Sequence, residues 1–579
     1  MKEKKMTLMT QVKYWQENEN LPLEMKQQLA DLAQNPDWVQ DAFGADLEFG
    51  TAGMRGLMEP GTNRMNLFTV GKITEGLARL IDELGAEYKA RGVVICYDPR
   101  YNSAAFAQHA ALILGAHGIQ VYLFDSLRPT PELSFTIRYL TAYAGIMITA
   151  SHNPKQYNGY KIYGPDGGQM PPAEVDSVVK YAEAIDDIFA VQTGNLSELR
   201  QAGTIQLIGE NVDQAYLAQL QTVNVDRKLI AAEADNLPIV YSPLHGTGNV
   251  LYQRVFGENG FKNVHIVPSQ AILDPEFISV PSPNPESPAA FTEGIKLAKK
   301  VGAKLIIATD PDADRMGCAV LNQAGEYELL TGNQIAALMT NYLLTGMKKS
   351  GELTAQLEIV KSIVSSELPF VIATSFGIKT KNVLTGFKYI GEEIEHLNQT
   401  GSGKFVFGFE ESYGFLFKDF VRDKDSLQAA LMMAEVAAYY SSRGLTVAEG
   451  LEELSQQFGY FAEETKSIEM TGLDGLSKMK AMMEKLRSET VTEIAGVQVM
   501  RYEDYLAQTA VVDGKTTAFT DYPKADVLKY YLADDTWIAL RPSGTEPKVK
   551  VYVGVRSDST EHAHANVTRY QSAFAELLN

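Results

Sequence analysis

The chain has 579 residues, of which 45% are hydrophobic and 21% charged, and it carries a formal net charge of -20 at pH 7. That length suits about four domains of roughly 150 residues each, built with an ordinary globular composition. A field of this sign repels nucleic acid, so any anionic ligand must be held by local cations.

The only two cysteines, Cys96 and Cys318, exclude a disulfide framework and read as buried core thiols. The first residues, MKEKKMTLMTQVKYWQEN, are basic but lack a sustained apolar core, so no signal peptide is expected. Apolar runs such as 110–116 are far shorter than a spanning helix. The expected location is a reducing cytoplasm, with no membrane and no nucleic-acid partner.

Residues 7–43 read as helical. Leu29, Leu32 and Ala33 recur at helical spacing, and Pro36-Asp37 can open a further short helix. From residue 44 onward, short apolar runs alternate with amphipathic stretches. The runs are VVICYD (93–98), IQVYLFD (119–125), YAGIMITAS (143–151), LPIVYSPLHG (237–246), NVHIVPS (263–269), AKLIIATD (303–310), FVIATSF (370–376) and KFVFGFEES (404–412). Read as strands followed by helices, they predict βα units with largely parallel sheets. Residues 426–441 read as a helix. The pattern fades over 447–495, where 448–457 and 476–488 read as connecting helices. WIALRPS (537–543), VKVYVGV (549–555) and a terminal helix near 562–578 close the chain. The expected organisation is a helical extension over 1–43, α/β domains over 44–205, 206–325 and 326–455, a helical connector over 456–495 and a last domain over 496–579.

Five loops carry candidate chemistry. In Thr149-Ala150-Ser151-His152-Asn153-Pro154 a serine directly follows an apolar strand, and the residue before proline avoids helix. Open α/β sheets place ligands at such strand ends, although the same six residues also suit a turn that merely satisfies its own backbone. A serine hydroxyl is a weak nucleophile without help, and His152 and Lys161 are the nearest helpers. No G-x-S-x-G surrounds Ser151, so a hydrolase elbow is unsupported.

The second loop is Asp310-Pro311-Asp312-Ala313-Asp314-Arg315. Its three alternating carboxylates repel each other without a cation and suit magnesium or calcium, and Arg315 suits an anion shared with that metal. An EF-hand is excluded, because Arg315 and Leu321 stand where its glycine and glutamate belong. An acidic solvated turn is the plainer alternative.

The third loop, Gly408-Phe409-Glu410-Glu411-Ser412-Tyr413-Gly414, with Lys424-Asp425 further on, can grip sugar hydroxyls or be a solvated acidic turn. The fourth, Arg541-Pro542-Ser543-Gly544-Thr545 with Lys548 and Lys550, can be a phosphate nest or a hairpin turn. The fifth is the glycine-rich loop 50–56, with Arg55 as its one cation. Neither Gly246-Thr247-Gly248, with Leu251 at the third glycine position, nor Gly403-Lys404 completes a nucleotide-binding motif.

Together and in this order, the five loops resemble the α-D-phosphohexomutase superfamily over essentially the whole chain after residue 40. The run LEFGTAGMRGLMEPGTNRMN (47–66) is similar to that of the long bacterial phosphoglucomutases, which resemble phosphopentomutase-like members. The resemblance implies three related mixed α/β domains and a smaller C-terminal TATA-binding-protein-like α+β domain around one central cleft. It implies a phosphorylated serine at Ser151 and one Mg²⁺ per subunit, held by Asp310, Asp312, Asp314 and the phosphoserine. It further implies a phosphate contact at Arg315 and a sugar loop at Glu410 and Ser412. A phosphate loop follows at Arg541, Ser543, Gly544 and Thr545, with Lys550 where arginine is common. Arg55, His152, Lys161 and Lys424 fall at catalytic or substrate-contacting cations, with Lys161 favoured for moving the proton.

The implied reaction exchanges a phosphoryl group between sugar carbons 1 and 6 through glucose 1,6-bisphosphate. Gly414, where some members keep histidine, favours glucose over mannose phosphates. Phosphopentomutase or phosphomannomutase activity is the alternative within the superfamily. A metal-dependent phosphatase or a silent carbohydrate-binding protein lies outside it.

Overall fold

A computed structural model describes residues 7–50, 53–470, 475–489, 491–543 and 548–577. The chain divides into two compact units. The first contains Met1–Val320, Ile394–His396 and Gly414–Ala438, and the second Leu321–Glu393, Leu397–Tyr413 and Tyr439–Asn579.

The first unit begins with the three expected helices, Leu8–Glu17, Leu23–Leu32 and Pro36–Phe43. Thr7 and Asn35 cap the first and third through side-chain oxygens that accept from backbone N–H groups, a pairing such helix starts need. Their apolar faces close on an aromatic cluster in which the Trp15 ring lies 5.5 Å from Phe43 and 5.1 Å from Phe189. The extension is therefore pinned by one buried indole.

Behind it stands a six-stranded sheet in the order Met54–Leu57, Tyr157–Tyr163, Ala144–Ile148, Val93–Tyr97, Val121–Phe124, Ile205–Ile208. Its last four strands are parallel and its first two antiparallel to their neighbours. Ala144–Ile148 is buried throughout, which is why it reads as an unbroken apolar run. A second sheet pairs Ile239–Ser242 in parallel with Val264–Ile266 and Leu305–Thr309, and Leu305–Thr309 antiparallel with Met316–Leu321. The register of that last pair, Met316 opposite Thr309, leaves residues 310–315 as a tight loop at the strand's carboxyl end.

In the second unit Leu357–Ser362 pairs in parallel with Lys379–Val383 and Lys404–Glu410. FVIATSF is not a strand here. Leu368–Ser375 is an α-helix with proline in its first turn, and Gly377 follows at φ 74°. The run is too apolar for periodicity to separate helix from strand, and the proline and glycine were the available signals.

The C-terminal sheet is antiparallel, running Tyr460–Glu469, Lys548–Ser557, Trp537–Pro542, Leu528–Leu532, Val497–Asp504, Thr509–Val512, Lys515–Ala518. Helices Gly475–Ser488 and Thr560–Leu577 pack on it through Met479, Met483, Val567, Tyr570 and Phe574. The expected helical connector is thus corrected: Tyr460–Glu469 is a strand, paired with Lys548–Ser557 along its whole length. Its polar run gave no apolar alternation to read, and its partner lies far along the chain. The sheet meets the preceding α/β layer through Ile363, Val364, Leu384, Trp537 and Tyr552, and Lys529 Nζ donates to Ile363 O at 2.6 Å.

Removing the indole that pins the extension should cost about 3–5 kcal/mol, confined to that cluster. Trp15→Ala is therefore expected to open residues 7–43 to proteolysis while the rest of the chain resists. Cleavage no faster than in the wild type would show that the indole is not the pin.

Candidate active site

Ser151 leaves the strand Ala144–Ile148 on a turn built by its own sequence. Its N–H donates to Thr149 Oγ1 at 2.8 Å, and Asn153 N–H donates to Ala150 O at 3.0 Å. Its φ of 50° lies in the left-handed region, unusual for a residue with a Cβ. The hydroxyl is buried. It donates to Asp310 Oδ2 at 2.6 Å and lies 3.2 Å from His152 Nδ1. Arg55 Nη1 donates to Asn153 Oδ1 at 2.6 Å, which ties the glycine-rich loop to this turn.

Asp310, Asp312 and Asp314 alternate through a loop in which Ala313 takes φ 53°, and their ligand oxygens lie within 4.8 Å of one another. All three are buried. Asp310 Oδ1 accepts the N–H groups of Asp314 and Arg315 at 3.1 and 3.0 Å. Asp312 Oδ2 accepts from Thr130 Oγ1 and Lys161 Nζ, both at 3.0 Å. Lys424 Nζ lies 3.2 Å from Asp314 Oδ2 and donates to Asp423 Oδ1 at 2.9 Å, while Tyr163 Oη donates to Asp423 Oδ2 at 2.8 Å. Arg315 Nη1 donates to Glu286 Oε1 at 2.8 Å.

Burial, reinforced by Asp312 and Asp314, pushes the Asp310 carboxyl well above its usual range. Burial pulls Asp312 the same way, but the Lys161 ammonium, a hydrogen bond with Asp310 and the Lys424 ammonium together hold the carboxyl below that range. Burial would lower Lys161, yet Asp312 and Asp314 raise it. His152 is driven well below its ordinary value by burial and then by Arg315 and Arg55, so its imidazole is neutral.

Asp312 Oδ1 and Asp314 Oδ1 are buried without a hydrogen-bond partner among the described residues. Orphaned carboxylate oxygens are costly, and an all-oxygen donor set suits a hard divalent cation. The three aspartates therefore fit a metal site.

The remaining expected residues lie in the second unit. Glu410 is buried and its Oε1 accepts Gly386 N–H at 2.7 Å. Glu411 Oε2 accepts from Ser362 and Ser365 at 3.0 Å each, which fixes the backbone beside the half-buried Ser412. Arg541 and Lys550 face each other across paired strands, and Ser543 N–H donates to Lys548 O at 2.8 Å. Lys550 is exposed. Gly544 and Thr545 lie outside the described residues. Tyr552, raised by burial, also feels Glu411, Arg541 and Glu410, which brings the carboxylates of residues 410 and 411 and the Arg541 strand around one phenol.

Several groups here went unread in the sequence. Thr130, Asp423 and Tyr163 brace the aspartate cluster from other segments. Among the described residues Thr385 Oγ1 and Lys388 Nζ are buried without hydrogen-bond partners, and Lys388 is lowered by burial and by Arg541, against Glu392. Only a Thr-Gly turn marks that position in the sequence.

The site thus joins a buried serine at the end of one mixed α/β sheet to a loop of three buried aspartates at the end of another, 2.6 Å apart at Ser151 Oγ and Asp310 Oδ2. Residues 46–188, 214–323 and 331–458 match alpha/beta/alpha domains I, II and III of phosphoglucomutase/phosphomannomutase, and 480–568 match its C-terminal domain. A phosphoglucomutase of Staphylococcus aureus is 39% identical over 518 residues, 89% of this chain and 91% of that one. One from Staphylococcus epidermidis is 38% identical over 527 residues, 91% of this chain and 93% of that one. Among solved structures, Paramecium parafusin, a phosphoglucomutase in its open form, superposes with a TM-score of 0.67 at 19% identity, covering 92% of this chain and 95% of that one. A phosphoglucomutase/phosphomannomutase family protein from Burkholderia thailandensis gives 0.65 at 18%, covering 92% and 96%. The chain belongs to the phosphoglucomutase/phosphomannomutase family of the α-D-phosphohexomutase superfamily. Among the described residues no helix is long and apolar enough to cross a membrane.

If Thr130 braces a metal ligand, Thr130→Val should weaken divalent-cation binding about 10–100-fold while keeping the packing volume. Isothermal titration with Mg²⁺ reads this directly. Unchanged affinity would leave Thr130 an ordinary first residue of the helix Thr130–Tyr139.

Proposed function

We propose that the chain is a phosphoglucomutase, interconverting α-D-glucose 1-phosphate and glucose 6-phosphate through phosphoserine 151 and glucose 1,6-bisphosphate. The observation that carries the reading is the Ser151 hydroxyl, 2.6 Å from a carboxylate of three clustered, buried aspartates.

In the first half-reaction the free hydroxyl oxygen of the sugar monophosphate attacks the phosphorus on Ser151. The P–Oγ bond breaks, the new P–O bond forms, and the hydroxyl proton leaves the sugar as Ser151 Oγ takes one up. In the second, the reoriented bisphosphate returns its other phosphoryl group to Ser151 Oγ, which gives up its proton, and the sugar oxygen that is freed takes one. Lys161 is the group we assign to moving that proton, with His152 beside it as the alternative. With Mg²⁺ held by Asp310, Asp312, Asp314 and a phosphoserine oxygen, the site gains the charge neutralisation that phosphoryl transfer needs. Arg315 would contact the moving group, and Arg55 and Lys424 would add cationic contacts.

Glu410 and Ser412 we assign to sugar hydroxyls, and Arg541, Ser543, Gly544, Thr545 and Lys550 to the phosphate that does not react. The partners are small sugar phosphates, glucose 1,6-bisphosphate is the activator, and the cytoplasm is the compartment that suits two buried free thiols.

Intact-mass analysis should find a fraction of purified protein heavier by ~80 Da, one phosphate group, mapping to the Ser151 peptide. Ser151→Ala should lose nearly all mutase activity, and full activity in that variant would sink the mechanism. Side-by-side assays with glucose, mannose and ribose 1-phosphates should favour glucose, because buried polar groups reject the isomer that leaves them unpaired. Faster turnover of ribose 1-phosphate would reassign the enzyme as a phosphopentomutase.

Arg541→Ala should cost ~2–5 kcal/mol in kcat/KM, as a buried charge pair loses its partner. A ratio within about twofold of wild type would reduce the Arg541 strand end to a plain hairpin.

A further inference from the structure

Most carbonyls of the turn that carries Ser151 are gathered by one side chain, while Ser282 Oγ donates to His152 O at 3.0 Å and Arg55 holds the Asn153 side chain. Arg100 has no solvent-exposed side-chain surface, and its Nε is paired with Asp98 Oδ2 at 3.1 Å. Its Nη2 donates to the carbonyl oxygens of Ser151 at 2.6 Å and Asn153 at 2.5 Å, and its Nη1 to those of Pro154 at 2.9 Å and Tyr157 at 3.1 Å. The guanidinium carbon lies 5.0 Å from the centre of the Phe277 ring. Asp98 Oδ1 accepts from Ser103 Oγ at 2.7 Å and from the Arg100 N–H at 3.0 Å, so the ion pair is itself anchored.

The two sides of the turn are held differently. On the amide side the turn closes itself, since the N–H groups of Ser151, Asn153 and Tyr157 all donate to atoms within residues 149–154. On the carbonyl side four oxygens from seven consecutive residues converge and would repel one another without a shared donor. A guanidinium offers several N–H groups in a rigid plane, whereas an ammonium is a point charge on a flexible stem. The left-handed Ser151 backbone, which aims the hydroxyl at Asp310, is costly for a residue with a Cβ and persists only where its surroundings hold it.

We infer that Arg100 is a positioning residue for phosphoryl transfer, gathering the carbonyls of residues 151–157 so that Ser151 keeps the left-handed backbone that aims its Oγ at the reacting group. The inference rests on the reading of Ser151 as the phosphorylated residue. Arg100 spends its donors on backbone carbonyls and Asp98, so its loss should act on the rate of transfer rather than on sugar binding.

The test uses the full chain with Arg100→Lys and Arg100→Ala, followed by hydrogen exchange over residues 149–160 and by steady-state kinetics with glucose 1-phosphate. The expected result is faster exchange of the Ser151, Asn153 and Tyr157 amides in both variants. With it kcat should fall about 100-fold, the loss that a misplacement near 1 Å brings, and KM should stay within about threefold. If Arg100→Ala fails to fold, Arg100→Lys decides, because it keeps the charge beside Asp98. A folded Arg100→Lys enzyme with wild-type exchange in this segment overturns the inference. So does one that loses thermal stability but keeps kcat within about threefold, since that is what a purely structural residue would do. The exchange arm needs no substrate, so a wild-type enzyme inactive on glucose 1-phosphate would count against the proposed function and leave the clamp to be judged by exchange.

Discussion

Three carboxylates buried within 4.8 Å of one another set the terms for everything around them. Like charges at that spacing, shielded from water, repel strongly, and desolvation adds to the cost. The first unit answers with groups brought from distant segments. Thr130 and Lys161 reach Asp312 from the first sheet's domain, Lys424 reaches Asp314 from the 414–438 segment, and two backbone amides of the loop reach Asp310. Even so, Asp312 Oδ1 and Asp314 Oδ1 have no hydrogen-bond partner among the described residues. The cluster fits a metal site, where the cost of its buried charge would be shared with a cation.

The same cluster orients the serine. Ser151 would be an ordinary turn residue if its hydroxyl faced water. Facing Asp310, it donates to a carboxylate of the cluster in a place shielded from water. The neutral His152 and the raised Lys161 differ because one sits among guanidinium groups and the other among carboxylates.

Much of this was legible in the sequence because three of the chemical loops directly follow an apolar run of strand length. The runs ahead of Ser151, Asp310 and Glu410 are all strands at the expected places. What failed did so for physical reasons. FVIATSF buries only Phe370, Ile372 and Ala373, but it is too short and apolar for its composition to reveal a helical period, and Tyr460–Glu469 is a polar strand whose partner lies far along the chain. Thr130 and Arg100 look like turn and helix-start residues, because their importance lies in which carbonyl or carboxylate the fold carries to them. Lys388 escaped for the same reason.

The strand Tyr460–Glu469 also bears on how the polypeptide is made. It joins its sheet only by pairing with Lys548–Ser557, a segment near the very end of the chain. As the polypeptide emerges from the ribosome, this strand must wait unpaired for its neighbour, as the edge strand Met54–Leu57 must wait for Tyr157–Tyr163. Its many charged and polar side chains, Glu463, Glu464, Lys466 and Glu469 among them, are what an exposed edge needs to avoid pairing with the wrong chain during that interval.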